Sequence, residues 1–287
     1  MRLGIVGMLP RDFRKLTVGD LQAIRNLGFT GAAGHFPGDL VEEVTREEAK
    51  RCRELLSSED IDLVQFSITY PDCLFSPDKE VRDQISSRIE RGAEISSWLG
   101  ASVFLIRTGS LNSAGSYAPH RDNHTPEAMD RLIQTLKSIA PTLESENLTC
   151  VLETHAVTIL DSPETCRDIV ESVGSDNLRI VMDFVNHFES LRQVYASRER
   201  ITHIFDTMGA LSPVCHVKDI AVRNGLVIHL DETVPGEGEL DVAHALQCFD
   251  RTFPDGYALI EHLKPDLIPQ AAANVRKICL EAGIQIH

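Results

Sequence analysis

Four residues suited to metal binding follow four apolar segments in the second half of the chain. They are two glutamates, one aspartate and one histidine: Glu153, Asp183, His216 and Glu261. Three carboxylates brought together would raise one another's pKa, and a bound divalent cation removes that penalty. An oxygen-rich set with one imidazole suits Mn²⁺, Mg²⁺, Co²⁺ or Zn²⁺. The pattern predicts one divalent metal ion, with Mn²⁺ favoured, unless the four are unrelated polar residues at strand ends.

Eight short apolar segments are predicted to be the strands that position these residues. They are apolar on both faces and bounded by turn residues, as in a buried parallel sheet. The segments are Leu3–Met8, Phe29–His35, Leu63–Thr69, Ser102–Arg107, Leu148–Thr154, Arg179–Phe184, Pro213–Val217 and Tyr257–Glu261. Helix-start signals stand between them, namely the capping box at Thr45 and the Thr-Pro and Ser-Pro pairs at 125–126 and 162–163.

Eight strand–helix units without a linker predict an α/β fold, a single (β/α)₈ TIM barrel over residues 1–287. The candidate ligands are 30, 33 and 45 residues apart, so one strand–helix unit separates each pair. Consecutive strand ends face one mouth of a barrel, where the four side chains would meet. A doubly wound sheet is the alternative fold, but the first turn, Gly7-Met8-Leu9-Pro10, lacks its glycine-rich phosphate motif.

Two connections are long. Residues 108–124 follow the fourth strand and so lie on the face where barrels keep their active sites. Residues 220–240 follow the seventh strand, and Asn224-Gly225 between apolar runs predicts a tight β-hairpin there.

Composition excludes several classes of function. The net charge of −15 opposes binding to nucleic acid or to an anionic membrane surface. No apolar run approaches the length of a membrane span, and the amino terminus lacks a signal-peptide pattern. The seven cysteines are odd in number and form no C-x-x-C pair, which predicts reduced thiols in a cytoplasmic protein.

Five segments resemble the xylose isomerase-like TIM-barrel superfamily, in its sugar phosphate isomerase/epimerase branch. They are Leu-Glu-Thr-His at 152–155, Val-Met-Asp-Phe at 181–184, His-Val-Lys-Asp at 216–219, Pro-Gly-Glu-Gly-Glu-Leu-Asp at 235–241 and Leu-Ile-Glu-His at 259–262. Ketose 3-epimerases, hydroxypyruvate isomerase and inosose dehydratase belong to this branch. The resemblance implies metal ligation by Glu153, Asp183, His216 and Glu261, and a homo-oligomer, dimer or tetramer.

The resemblance also implies a reaction on a small-molecule sugar or keto-sugar. Isomerisation or epimerisation would pass through a metal-bound enediolate, with Glu153 and Glu261 as catalytic acid and base. The alternative is a lyase or dehydratase on the same scaffold, which shares the enolate step and then expels a leaving group. In that reaction His155 or His187 could donate the proton that the leaving group takes up.

Eight further residues are predicted substrate contacts. His155 lies two residues after Glu153, so in an extended segment it would face the same side. Asn186 stands where epimerase-like members have a histidine, and His187 follows it. The others lie at predicted strand ends or in the loop after strand seven: Lys218, Arg223, Arg107, His35 and Gln65. For Arg107, an anionic substrate and a neighbouring carboxylate are equal alternatives as partner.

Two remote alternatives are an endonuclease-IV-like phosphodiesterase and a non-catalytic binding barrel. The phosphodiesterase would need further histidines on earlier strands, where Gln65 and Arg107 stand. It would also need Asp-x-His after strand seven, where the order is His229-Leu230-Asp231. No glycine-rich phosphate cradle follows strands seven or eight, which favours a substrate without phosphate.

Overall fold

The computed structural model describes residues 1–287 and contains ten strands. In chain order they are β1 Arg2–Val6, β2 Gly31–Pro37, β3 Asp62–Thr69, β4 Val103–Arg107, β5 Cys150–Glu153, β6 Leu178–Ile180, β7 Val214–Val217, β8 Asp219–Val222, β9 Leu230–Thr233 and β10 Tyr257–Ile260. Eight of them form one parallel sheet in the order β6-β5-β4-β3-β2-β1-β10-β7. All eight predicted strands are present in this sheet.

The two edges of the sheet meet, so that the sheet curls into a barrel. Met182, just beyond β6, forms a parallel bridge with Cys215 of β7. Its N–H donates to the carbonyl of Val214 at 2.8 Å, and its carbonyl accepts from the N–H of His216 at 2.9 Å. The fold is therefore the predicted TIM barrel. The sixth strand is shorter than predicted: it ends at Ile180, only Met182 pairs beyond it, and a 3₁₀ turn begins at Phe184.

Nine α-helices surround the barrel. They are α1 Val18–Asn26, α2 Arg46–Ser58, α3 Lys79–Leu99, α4 Pro126–Ser145, α5 Pro163–Val173, α6 Leu191–Tyr195, α7 Ser197–Met208, α8 Val242–Thr252 and α9 Ile268–Glu281. The predicted start signals are confirmed: Thr45 forms a capping box, and Thr125 and Ser162 cap helices that begin with proline. None of the helices combines the length and apolarity that crossing a bilayer would need.

Apolar side chains pack in two separate clusters. The larger one fills the space between the sheet and the helices. The smaller one fills the barrel interior with nine residues: Ala33, Val64, Val103, Leu105, Val151, Val181, Val214, Tyr257 and Leu259. Buried residues on both faces of each strand explain the continuously apolar strand sequences. All seven cysteines are buried and unpaired.

The loop after β7 contains the predicted hairpin, formed by β8 and β9. The prediction of a tight Asn-Gly turn is wrong, because residues 223–229 together connect the two strands. Asp219 anchors the chain that follows: its carboxylate accepts the backbone N–H groups of Gly236, Gly238 and Leu240. A side chain at Gly238 would collide with Asp219, so only glycine fits this close approach.

Candidate active site

The four candidate ligands share one position relative to the barrel interior. Each follows an interior apolar residue by two positions, and side chains two apart on a strand point to the same side. The interior residues are Val151, Val181, Val214 and Leu259. The polar residues that follow them are Glu153, Asp183, His216 and Glu261, all buried. The sheet therefore directs all four into the carboxyl-terminal mouth.

Three of these side chains form one cluster, and the fourth stands beside it. One ligand atom each from Glu153, Asp183 and His216 lies within 4.8 Å of the others. Oε1 of Glu261 lies 3.1 Å from Nδ1 of His216. The buried Oδ1 of Asp183, Nδ1 of His216 and Oε1 of Glu261 make no hydrogen bond of good geometry, although Nδ1 of His216 and Nζ of Lys218 lie within ion-pair distance of Oε1 of Glu261. Buried polar atoms are normally paired, so these orphaned atoms, all metal-ligand types, fit a divalent cation.

Gln65 determines which nitrogen of His216 faces the cluster. Nε2 of His216 lies 2.9 Å from Oε1 of Gln65. An amide oxygen only accepts, so Nε2 carries the proton in this arrangement. Nδ1 then faces Asp183 and Glu261, at 3.7 and 3.1 Å from their oxygens. Such an outer hydrogen bond is what orients a metal-binding imidazole.

A bulge in β3 turns Gln65 toward the mouth. Ala32 of β2 pairs with Leu63 whereas Ala33 pairs with Gln65, so Val64 is an extra residue in β3. Val64 belongs to the interior cluster, and Gln65 nevertheless lines the cavity above it. Bulges commonly re-aim side chains beside functional sites.

Lys218 lies at the centre of the acidic side of the site. It follows His216 by two residues and is almost fully buried. Its Nζ lies 2.7 Å from Oδ2 of Asp183 and 3.0 Å from Oε1 of Glu261. Glu232, on β9 of the hairpin, lies 3.3 Å away. The ammonium therefore offsets part of the negative charge that the buried carboxylates create.

The pKa shifts show how strongly this site attracts positive charge. Burial lowers the pKa of His216, but Glu261 and Asp183 outweigh burial and raise the pKa to about 10. Burial raises the pKa of Glu261, yet His216 and Lys218 hold it well below its usual range. The pKa of Lys218 is raised in turn by Asp183 and Glu261, against the effect of burial. A divalent cation would replace the proton that this field otherwise holds on His216.

Glu153 lies on the opposite side of the cluster, among neutral and basic groups. Tyr117 donates its hydroxyl hydrogen to Oε2 of Glu153 at 3.1 Å, and Nε2 of His155 lies 3.9 Å from the same oxygen. Burial raises the pKa of Glu153, but His155 outweighs it and lowers the pKa to about 2. The guanidinium of Arg107 donates to the Tyr117 hydroxyl at 3.2 Å. Glu153 is thus held as a carboxylate that can accept a proton.

A cavity of about 300 Å³ opens between these groups, large enough for a monosaccharide. Of the predicted residues, Glu153, Glu261, Arg107, His35 and Gln65 line it. Asp183, His216 and Lys218 lie behind this lining: His216 and Lys218 contact Glu261, and Lys218 contacts Asp183. Nδ1 of His35 lies 2.5 Å from the Ser67 hydroxyl on the cavity wall.

Five of the eight predicted substrate contacts do not line the cavity: His155 lies beside Glu153, Lys218 lies behind the lining, and three further residues lie outside it. The side-chain amide of Asn186 donates to Oδ2 of Asp183 at 2.7 Å and to the carbonyl of Thr154 at 2.8 Å. His187 is fully buried, with neither ring nitrogen hydrogen-bonded. The exposed Arg223 pairs with Asp231 across the hairpin. Asn186 therefore positions Asp183, and the other two contribute no atom to the lining.

Several lining residues escaped the sequence-based reasoning. Tyr117, Ser67, Thr69, Arg11 and His262 all line the cavity. His262 pairs with Glu232 at 2.9 Å and has a positive φ of 57°. The alternation of inward and outward residues on β3 would have found Ser67 and Thr69. No local signal brings Tyr117 back from the 108–124 loop onto Glu153.

The barrel fold and the polar residues at its carboxyl-terminal mouth are those expected of the xylose isomerase-like family. The sequence model of the xylose isomerase-like TIM barrels matches residues 21–281, so the chain belongs to that family. A comparison with curated protein sequences finds no significant match.

Solved structures share the fold at low sequence identity. D-psicose 3-epimerase from Clostridium cellulolyticum, solved with D-tagatose, superposes with a TM-score of 0.72 at 12% identity, covering 98% of this chain and 99% of its own. A probable 3-DHS dehydratase from Bacillus anthracis gives 0.69 at 16% identity, with coverage of 98% and 99%. A xylose isomerase-like protein from Mycobacterium smegmatis, in complex with magnesium, gives 0.71 at 14% identity, with coverage of 98% and 96%. An epimerase, a dehydratase and a magnesium-bound protein therefore share this barrel.

Proposed function

We propose that this protein is a divalent-metal-dependent isomerase or epimerase of a sugar or keto-sugar. One observation carries the proposal: two buried glutamates, Glu153 and Glu261, line the same cavity on either side of Asp183 and His216. Their strands, β5 and β10, are separated around the barrel by β6 and β7. Two carboxylates so placed can serve the two proton transfers that an isomerisation or epimerisation requires.

Glu153, Asp183, His216 and Glu261 would hold the cation, which when bound polarises a carbonyl group and acidifies the neighbouring C–H bond. Mn²⁺ or Mg²⁺ suits this oxygen-rich donor set. The orphaned atoms of Asp183, His216 and Glu261 support this assignment. Gln65 supports it as well, because it directs Nδ1 of His216 toward these atoms.

Glu153 is the proposed base. Its low pKa keeps it ionised, and it would take the proton beside the substrate carbonyl to leave an enediolate. Glu261 would pass on a proton from the ammonium of Lys218, 3.0 Å from its Oε1, to the other face of the same carbon or to the neighbouring carbon. Proton exchange with solvent would then restore Glu153 and Lys218 to their starting states. The ammonium of Lys218, between Asp183 and Glu261, stabilises the negative charge on this side of the cavity. Protonation of one face after removal from the other gives the epimer.

Dehydration of a keto-sugar or keto-inositol is the second candidate, and His155 favours it. Its Nε2 is buried without a hydrogen-bond partner, 3.9 Å from the proposed base. A base and an acid side by side could remove a proton and protonate a departing hydroxyl on the same face. The dehydratase among the similar structures supports this reading on the same fold.

Proton NMR of ketoses and keto-inositols in D₂O separates these reactions, with Mn²⁺-loaded and EDTA-treated protein compared. Metal-dependent deuterium uptake beside the carbonyl, with the molecular formula otherwise kept, is the result expected. Uptake accompanied by loss of water would replace the isomerase with the dehydratase. Two results would contradict the proposal: metal-loaded protein that exchanges deuterium into none of the ketoses and keto-inositols, or deuterium exchange that EDTA treatment leaves unchanged.

A further inference from the structure

Arg107 is a basic side chain in the cavity that has no acidic partner. It ends β4, two residues after the interior residue Leu105, and pairs in register with Glu153 of β5. Its guanidinium donates to the Tyr117 hydroxyl at 3.2 Å and to the carbonyl of Ile68 at 3.3 Å. A guanidinium has five N–H groups, so three remain without an acceptor in the protein. All of its hydrogen bonds go to neutral groups.

The carboxylates of the site already have other basic partners. Asp183 and Glu261 contact Lys218, and Glu153 contacts His155. Glu232 at the rim contacts His262. None of these carboxylates lies within ion-pair distance of Arg107. Arg11, exposed at the rim of the same cavity, adds a second positive charge there.

A half-buried guanidinium without an anion carries a desolvation penalty that a buried ion pair would offset. Its planar fork matches a carboxylate in a bidentate geometry. A phosphate would normally find backbone N–H groups of a glycine-rich loop or a helix start, and no residue of that kind lines the cavity.

We infer that the substrate carries a carboxylate, as a keto-sugar acid does, and that Arg107 binds it. This inference rests on the proposed function, because it assigns a substrate class to the same cavity. Tyr117 contacts both Arg107 and Glu153, so a carboxylate on Arg107 holds the remaining carbons of the substrate on the side of the proposed base. Arg107 is then a specificity-determining residue: neutral sugars leave its free N–H groups unpaired.

Calorimetric titration with two unreactive probes of equal carbon number tests this directly. D-Gluconate carries a carboxylate where D-glucitol carries a hydroxymethyl group. EDTA-treated protein is used, since gluconate itself chelates metal ions. We expect the wild type to bind gluconate at least tenfold more tightly than glucitol. Arg107→Gln should remove that preference by weakening gluconate binding to the level of glucitol binding, and Arg107→Lys should keep part of it.

Arg167→Gln is the matched control, because Arg167 is a partly exposed arginine of α5, outside the cavity and paired with Asp168. It should bind gluconate as the wild type does. Thermal melting of each variant shows whether it is folded. Equal binding of the two probes by the wild type, or a gluconate preference that survives in folded Arg107→Gln, would overturn the inference. Tighter binding of D-glucitol 6-phosphate than of gluconate would overturn the carboxylate assignment.

These outcomes are separate from the test of the proposed function, since neither probe undergoes turnover. Deuterium exchange on neutral ketoses without a gluconate preference would overturn the substrate class alone. A gluconate preference that depends on Arg107, without exchange on any ketose or keto-acid, would overturn the isomerase assignment alone.

Discussion

The two ends of the barrel contain hollows of similar size. They differ in how completely the polar side chains around them are paired. The carboxyl-terminal hollow measures about 300 Å³ and the amino-terminal one about 370 Å³. At the amino-terminal end, Arg2 pairs with Asp62 at 2.9 Å and lies over the ring of Tyr257. The hydroxyl of Tyr257, a single donor, lies 2.9 Å from Oδ2 of Asp62 and 3.0 Å from the carbonyl oxygen of Thr30, both acceptors. No residue that lines this hollow has a buried side-chain atom without a hydrogen bond.

The carboxyl-terminal end is bonded incompletely. Asp183, His216 and Glu261 each keep a buried atom without a hydrogen bond, and Arg107 has no acidic partner. Buried polar or charged groups without partners raise the free energy of the folded state unless a bound ion or ligand supplies the missing interactions. Cavity volume therefore does not distinguish the two ends of this barrel, whereas unsatisfied buried polar atoms do.

Substitution of the proposed base should give the largest difference in deuterium exchange between variants at the two ends of the barrel. Glu153→Gln keeps the side-chain shape and the contact with Tyr117, but it removes the proton acceptor. We expect deuterium exchange to fall about a thousandfold, with an unchanged melting profile. Asp62→Asn at the other end is the matched control and should keep full exchange. Wild-type exchange by Glu153→Gln would remove Glu153 from the chemistry.

Loss of the Asp219 carboxylate should destabilise the loop beyond the carboxyl-terminal mouth. Its two oxygens accept four backbone N–H groups, from Ile220, Gly236, Gly238 and Leu240. Asp219→Asn places an amide donor against two of these donors, and we expect the free energy of unfolding to fall by about 3 kcal/mol. Urea denaturation measures this. A loss below about 0.5 kcal/mol would show that the loop does not depend on Asp219.

Removal of the hydrogen bond to His216 should weaken metal binding without removing a ligand. Gln65→Leu leaves Nε2 of His216 without an acceptor, so the tautomer with a free Nδ1 is no longer favoured. We expect Mn²⁺ affinity to fall about 10- to 100-fold in calorimetric titration, with the stoichiometry kept. Unchanged affinity would show that the outer hydrogen bond does not control the site.

The smallest effect is expected at the amino-terminal end. Asp62→Asn breaks an ion pair between two partly exposed side chains, while the new amide oxygen still accepts from Tyr257. Such pairs contribute about 0.5 kcal/mol. Urea denaturation and deuterium exchange should both remain close to wild type. A large loss of exchange would show that the two ends are coupled, against the contrast drawn above.

The strands and the four candidate ligands could be predicted from sequence because both depend on local pattern. Each apolar run fixes a strand, and its polar end fixes which residue reaches the mouth. The metal-binding and catalytic roles of these residues, the metal itself, the cytoplasmic location and the homo-oligomeric state remain predictions. The environment of Lys218 could not be predicted, because Asp183, Glu232 and Glu261 come from three distant segments. The bulge that turns Gln65 toward the cavity likewise depends on how β3 pairs with β2, and the sequence of one segment alone does not determine that pairing.

The measurement that tests the account most directly is Mn²⁺ binding to metal-free wild type and to His216→Ala. The account predicts one Mn²⁺ per wild-type chain and loss of that ion in the variant, with the fold kept. The central claim is that Glu153, Asp183 and His216, together with the adjacent Glu261, form a divalent-cation site at the carboxyl-terminal mouth. A wild type that binds no ion, or a variant that binds it with equal stoichiometry and affinity, would contradict it.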